Sequence, residues 1–241
     1  MSAPLFFIPG WCLGRGPLQS TVDALQGQFF DLPGYRPVPE GTPPIDDFAA
    51  AVAHYAERLP VGATLAGWSI GAQLALAVAA QAPEKVGKLL LVAGTASFVQ
   101  REGWPHAMPP AALAEFSAAI AADAEAMLPR FVGGFNRGDA RAKEVTRQML
   151  EQADPRPAGA VLQSGLRWLA EVDLRPLAAQ VQAPTLLLHG AADPLMPLGA
   201  AEALAALIPG ARLQGLADCA HAPFASQPAA FLAAARAFLD D

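Results

Sequence analysis

Three residue types that can divide the work of an acyl transfer stand far apart in this chain, each just after a short apolar run. Ser69 is the centre of Gly67-Trp68-Ser69-Ile70-Gly71, of the form G-x-S-x-G. Asp193 closes His189-Gly190-Ala191-Ala192-Asp193, and His221 lies in the loop Ala217–Phe224. A serine hydroxyl is a poor nucleophile at neutral pH, so it needs a base to take its proton and later return it to the leaving group. His221 is the candidate base, and Asp193 is the candidate acid that fixes the imidazole tautomer and stabilises the imidazolium. An oxyanion formed at Ser69 needs N–H donors. The amide of Ile70, at the start of the helix that follows, is one. The amide of Trp11, in the loop after the first strand, is the expected second.

Other readings of these residues stand beside the catalytic one. G-x-S-x-G recurs by chance, and a Gly-Ser turn without chemistry is its plain alternative. The histidines are His54, His106, His189 and His221. His54 reads as a helix residue. His189 reads as a structural hydrogen-bonder at a strand end, and His106 sits between Pro105 and Ala107. Asp193 has rivals in Asp173 and Asp218. Asp218 is so near His221 in sequence that reaching round to the far ring nitrogen is awkward. Cys12 and Cys219 have no metal-ligand spacing and are too few for a disulfide framework, so they read as small buried apolar residues.

The elements that must position these groups follow from pattern. Leu5–Ile8 is a strand closed by Pro9-Gly10, and Gln28–Leu32 a second one closed by Pro33-Gly34. Residues 33–44, rich in Pro and Gly, read as loop. Residues 46–59 read as a helix with Asp46 or Asp47 near its start. Ala63–Ala66 is a buried strand, the elbow turns the chain, and 72–80 is a helix of strong helix formers ended by Pro83. In such a strand–turn–helix the glycines at 67 and 71 answer backbone crowding. Lys88–Val92, Thr185–Leu188 and Arg212–Leu216 are further strands, and Pro228 opens a last helix. Strand and helix alternate, which points to a parallel sheet with right-handed crossovers. Between 97 and 176 there is no strand pattern. Four helical patterns take its place: one with Leu113, Phe116 and Ile120, one with Leu128, Phe131, Val132 and Phe135, one starting near Asp139, and one starting near Pro157. The expected organisation is therefore a core of 1–96 and 177–241 with a helical lid of 97–176 over the C-terminal strand ends, where ligands of open α/β sheets bind.

Composition narrows the function class. The chain has 241 residues, 53 % of them apolar and 16 % charged, enough to build a sizeable core and too apolar for disorder. A net charge of −6 without a basic run argues against nucleic acid as a partner. No apolar stretch reaches membrane-span length without a break, and no basic segment precedes the first strand, so neither a membrane anchor nor a signal peptide is expected. A cytoplasmic location and a monomer are the expectations.

The elbow, the run His221-Ala222-Pro223-Phe224-Ala225-Ser226-Gln227-Pro228, the segment Phe98–Pro105, and Trp168-Leu169 through Val172–Arg175 together resemble a known family. It is that of the biotin-synthesis esterases, which cleave the methyl ester of a pimeloyl group carried on acyl carrier protein and belong to the α/β-hydrolase superfamily. The resemblance spans nearly the whole chain. It implies an α/β-hydrolase fold, here of about six strands in a mostly parallel sheet, with Ser69, Asp193 and His221 as the triad. It implies that Trp11 and Ile70 frame the oxyanion hole and, with His221, contact the acyl end. Phe131, Val132, Gly133, Gly134 and Phe135 match a lid segment lining the acyl pocket. Arg130, Arg137 and Arg141 match arginines that face the carrier protein. The charge pattern agrees: residues 130–147 hold five basic side chains against two acidic ones in an acidic chain. The chain departs from the family in having Pro9-Gly10 where His-Gly is usual and Cys12 where a small residue is usual. Pro129 and Gly133-Gly134 are expected to break or kink the lid helix.

The expected activity is hydrolysis of a methyl ester at the far end of a carrier-bound acyl chain, releasing methanol, with no metal or organic cofactor. A general short-chain esterase or thioesterase is the alternative. A catalytically dead acyl-binding module is the alternative of another class.

Overall fold

Apolar runs bounded by Gly and Pro fold into one parallel sheet whose inner strands are buried on both faces. The computed structural model describes residues 3–38, 40–41 and 44–241. The chain runs through β1 (Leu5–Ile8), α1 (Gln19–Ala24), β2 (Gln28–Phe29), α2 (Phe48–Arg58), β3 (Ala63–Trp68), α3 (Ile70–Gln81) and β4 (Val86–Val92). Five helices follow with no strand between them: α4 (Pro110–Ala122), α5 (Ala124–Phe135), α6 (Ala142–Glu151), α7 (Gly159–Glu171) and the short α8 (Arg175–Ala178). The sheet resumes with β5 (Thr185–Gly190), α9 (Leu198–Leu207) and β6 (Arg212–Leu216). The chain ends in α10 (Pro223–Ser226) and α11 (Pro228–Asp240).

The strand order is β2-β1-β3-β4-β5-β6, every pairing parallel. The chain moves outward from β1 to β2, then returns across β1 to β3 and continues the other way. With right-handed crossovers this reversal puts α1 on one face of the sheet and α2, α3 and α9 on the other. It also makes a switch point between the C-terminal ends of β1 and β3, where two loops diverge and leave a crevice. Ile8 pairs with Gly67 in register, so the loop beginning at Pro9 and the turn at Ser69 flank that crevice.

Helix α3 is buried along nearly its whole length, from Ile70 to Ala80. Its alanines let it lie close on β1, β3 and β4 while α2 packs on its outer side. Asp47 is the N-cap of α2, accepting from the Ala50 amide at 2.7 Å.

Several boundaries differ from the sequence expectation. β2 ends at Phe29; beyond it the Phe30 amide still bonds the Phe7 carbonyl, and the Asp31 carbonyl accepts the Tyr55 hydroxyl. α6 starts at Ala142, three residues after Asp139, and α7 at Gly159, two residues after Pro157. Pro129 does not break α5, which runs unbroken past it and past Gly133-Gly134. Proline removes one backbone donor there, and the rest of the helix stays bonded and packed on α4 and α6. The loop expectation for 33–44 falls partly on residues outside the described ones (39, 42 and 43). Helices α1 and α9 add to the elements expected from sequence, although α9 is rich in strong helix formers.

Candidate active site

The elbow is as crowded as its glycines suggest. A Cβ on Gly67 would lie 2.1 Å from the Gly71 carbonyl oxygen, and one on Gly71 would lie 2.2 Å from that of Ile8. Backbone occupies both spaces, so no side chain fits. Ser69, at the apex, has φ 59° and ψ −120°, a conformation that L-residues hold only under constraint. Its own amide donates to the Val92 carbonyl, which ties the turn to β4.

Asp193 and His221 meet after β5 and β6. His221 Nδ1 lies 2.7 Å from Asp193 Oδ2, and both side chains are fully buried. The other carboxylate oxygen accepts the Leu195 and Met196 amides, each at 2.9 Å. Asp193 is thus aimed by its own loop, and its proximal oxygen bonds the ring. The rivals are elsewhere. Asp173 is bound by Arg175, whose hydrogen bonds hold its carboxyl below the usual carboxylate range. Asp218 sits in a tight turn at φ 55° and offers its carbonyl to Ala140.

Ser69 and His221 line one small cavity, walled by Trp11, Phe98, Phe131, Phe135, Leu169 and Leu195. Its volume of ≈ 10 Å³ is room for about one water. No hydrogen bond joins Ser69 to His221 across it among the described residues. The Trp11 and Ile70 amides likewise bond no backbone carbonyl among them. Two donors therefore stand unused on either side of the switch point, next to the serine.

Trp11 divides this cavity from a larger cleft. Its indole N–H donates to the Leu162 carbonyl at 3.0 Å, and its ring packs edge-on against Phe116 and Phe131. Gly165 makes room for it: a Cβ there would lie 2.5 Å from the indole. The cleft beyond, ≈ 750 Å³, runs between α7 and the loop after β2 and reaches Ile70.

The other anticipated residues divide. Within α5 only Phe131 and Phe135 reach the cavity, since residues four apart share a helix face. Val132 is buried elsewhere in the helical layer. Gly133 faces an outer groove beside Lys143 and Arg147, and Gly134 faces open space. Those three do not line the cavity. Arg130 and Arg137 are exposed, with no salt bridge among the described residues. Arg141 is engaged: its guanidinium binds both oxygens of Glu144 and the Ser226 carbonyl.

Three side chains support the candidate base, and sequence reasoning anticipated only His189, as a structural hydrogen-bonder. The Trp68 indole donates to the His221 carbonyl at 2.9 Å, and its ring centroid lies 5.6 Å from the imidazole. The Asp139 carboxylate accepts the Ala220 amide at 3.0 Å, and its other oxygen accepts the Arg141 amide at 2.7 Å. His189 places Nε2 2.6 Å from the Met196 carbonyl and 3.6 Å from Asp193 Oδ2. Nothing in the type or spacing of Trp68 or Asp139 marks their bonds to residues 221 and 220.

The sheet, the elbow and the buried acid–base pair define a hydrolase of the α/β class, and the α/β hydrolase family model matches residues 5–235. Fold comparison agrees. An esterase from Exiguobacterium antarcticum superposes with TM-score 0.85 at 20 % identity, covering 100 % of this chain and 94 % of that one. Within that class the chain belongs to the family of pimeloyl-[acyl-carrier protein] methyl ester esterases. It is 36 % identical to the one from Nitrosomonas europaea, covering 95 % of this chain and 92 % of that protein. It is 38 % identical to the one from Aromatoleum aromaticum, covering 93 % of each.

Proposed function

We propose that this chain hydrolyses the methyl ester of a pimeloyl chain held on acyl carrier protein, in biotin synthesis, and releases methanol. The buried His221–Asp193 pair behind the strained Ser69 carries the reading, and the family relationship supplies the substrate. Ser69 Oγ attacks the ester carbonyl while His221 Nε2 takes its proton. Asp193 holds the opposite ring nitrogen and stabilises the imidazolium. The Trp11 and Ile70 amides receive the oxyanion. Collapse of the tetrahedral intermediate breaks the bond to methoxide, which leaves as methanol with the proton from His221. Water, deprotonated by His221, attacks the acyl carbonyl, and the second tetrahedral intermediate collapses as His221 returns that proton to Ser69 Oγ and the free carboxylate leaves. Every proton and bond is accounted for by the three side chains, the ester and water.

We assign residues 97–176 the role of a lid. A cavity of ≈ 10 Å³ has no room for a seven-carbon acyl chain, and Phe131 and Phe135 of α5 wall it, so we assign α5 the movement that admits the ester to Ser69. Arg130 and Arg137 are the residues we assign to the carrier, and Arg141 serves the His221 loop through Ser226. A monomer in the cytoplasm completes the proposal. Among the described residues no helix is long and apolar enough to cross a membrane.

The test is methanol release from carrier-bound pimeloyl methyl ester by wild type and Ser69→Ala. Loss of turnover with carrier binding intact is expected. Full activity of Ser69→Ala sinks the mechanism. Equal activity on carrier-bound and free methyl esters favours a general esterase instead, and a wild type that a fluorophosphonate leaves unlabelled has a dead site.

A further inference from the structure

The loop that carries the Trp11 amide is held by a side chain that the triad chemistry does not use. Cys12, directly after Trp11, has φ 69°, the left-handed region that a residue with a Cβ occupies only when its surroundings hold it there. Its amide is buried and donates to the Tyr35 hydroxyl at 2.8 Å, across 23 positions of chain. Tyr35 is itself buried, folded inward by the turn in which its amide bonds the Leu32 carbonyl at 3.0 Å. On the other side the Trp11 indole is fastened to Leu162. The peptide between Trp11 and Cys12 is thus clamped from the loop after β2, while the ring of Trp11 is clamped separately from α7.

We propose that Tyr35 is a positioning residue of the oxyanion hole: its hydroxyl holds the Trp11–Cys12 peptide, and so aims the Trp11 N–H beside that of Ile70. The Tyr35 hydroxyl is the partner of the buried Cys12 amide, so losing it leaves that donor unpaired. The local remedy is for Cys12 to relax toward negative φ. That rotates the peptide joining it to Trp11 and turns the Trp11 backbone with it. The indole anchor at Leu162 survives the change, so the acyl pocket keeps its wall. The damage falls on the donor that acts in the transition state. Tyr35 touches neither substrate nor Ser69 and acts through the loop alone. The inference rests on the reading of Ser69 as nucleophile.

The test compares wild type, Tyr35→Phe and Tyr35→Phe/Cys12→Gly, in turnover and in the rate of inactivation by a fluorophosphonate, whose phosphoryl oxygen occupies the same hole. In Tyr35→Phe both rates are expected to fall roughly ten- to a hundredfold, as for a weakened oxyanion donor. KM should change little, and the Kd of carrier-bound ester in the Ser69→Ala background should stay the same. Cys12→Gly, which has no Cβ strain at positive φ, should recover much of both rates in the double variant. Replacing Tyr35 by 3,5-difluorotyrosine, which keeps the shape and weakens the acceptor, should lower the rates in the same sense if the phenylalanine variant does not fold. Rates in Tyr35→Phe within about twofold of wild type overturn the inference. So does a loss that follows Tm alone and is not recovered by Cys12→Gly. A wild type that the probe does not label overturns the reading of Ser69 instead, which keeps the two failures apart.

Discussion

Two histidines approach the carboxylate of Asp193, and burial treats the second as a liability. His189 is fully enclosed, and loss of solvent holds its pKa below the ordinary value near 6.5. The unfolded chain therefore takes up a proton at that ring before the folded one does. Its contribution to stability is complete above about pH 6.5 and is lost as pH falls through the lowered folded value. His189→Gln keeps a donor for the Met196 carbonyl and does not titrate. Its Tm is expected to fall less than that of wild type between pH 7.5 and 5.5, measured by thermal scans. An equal fall removes His189 from the acid response. The two thiols give a second prediction at this scale. Burial pushes Cys219 up to about 12 and Cys12 also upward, so neither is a thiolate at neutral pH. Iodoacetamide at pH 7.5 should leave both unmodified in the folded protein and alkylate both in urea. The elbow at Ser69 and the pairing of Asp193 with His221 were legible because each proposed role restricts the residue type and each residue follows a strand. Tyr35, Trp68 and Asp139 were not, since a tyrosine, a tryptophan or an aspartate in a loop serves many purposes. Only its partner says which.

Helices α3 and α5 both contain glycines, with opposite consequences. At Gly71 a Cβ meets backbone at 2.2 Å, so Gly71→Ala is expected to destabilise by roughly 3 kcal/mol or more, read from urea unfolding. At Gly134 no atom lies within 4 Å of where a Cβ would go. Gly134→Ala should stabilise α5 by about 0.5–1 kcal/mol, the ordinary helix preference. If α5 moves in the opening step, that gain carries a lower kcat, because mobile elements are drawn from the less stable parts of a fold. A raised Tm with unchanged kcat removes α5 from the gating step. Helix existence was legible here from the spacing of Leu113, Phe116 and Ile120 and of Phe131 and Phe135. The starts were not. Asp139 has the chemistry of an N-cap, yet α6 starts at Ala142: one carboxylate oxygen takes the nearby Arg141 amide and the other the distant Ala220 amide.

Across the whole molecule, an acidic protein presents Arg130 on α5, whose Phe131 and Phe135 wall the Ser69 cavity, and Arg137 just after that helix. Charge attraction between exposed groups is screened by salt, so it identifies itself. KM for a carrier-bound methyl ester is expected to rise as ionic strength goes from about 0.05 to 0.5 M, and less steeply in Arg130→Ala/Arg137→Ala. KM for a free methyl ester should not respond. Parallel salt curves for the two enzymes rule out these arginines as the carrier contact.

The amino-acid sequence by itself determined the strand–turn–helix at Ser69, the order of serine, aspartate and histidine, the parallel sheet and the helical stretch between β4 and β5. These rest on local rules: apolar period, turn chemistry, and the room that only glycine leaves at 67 and 71. It did not determine the second layer of contacts. Only the tertiary structure brought Tyr35 to the Cys12 amide, Trp68 to the His221 carbonyl and Asp139 to residue 220. Only it made Trp11 the partition between a cavity of ≈ 10 Å³ and a cleft of ≈ 750 Å³. Each of those contacts joins residues more than twenty positions apart. Their geometry depends on how the sheet's switch point gathers separate loops, which no short stretch of sequence encodes.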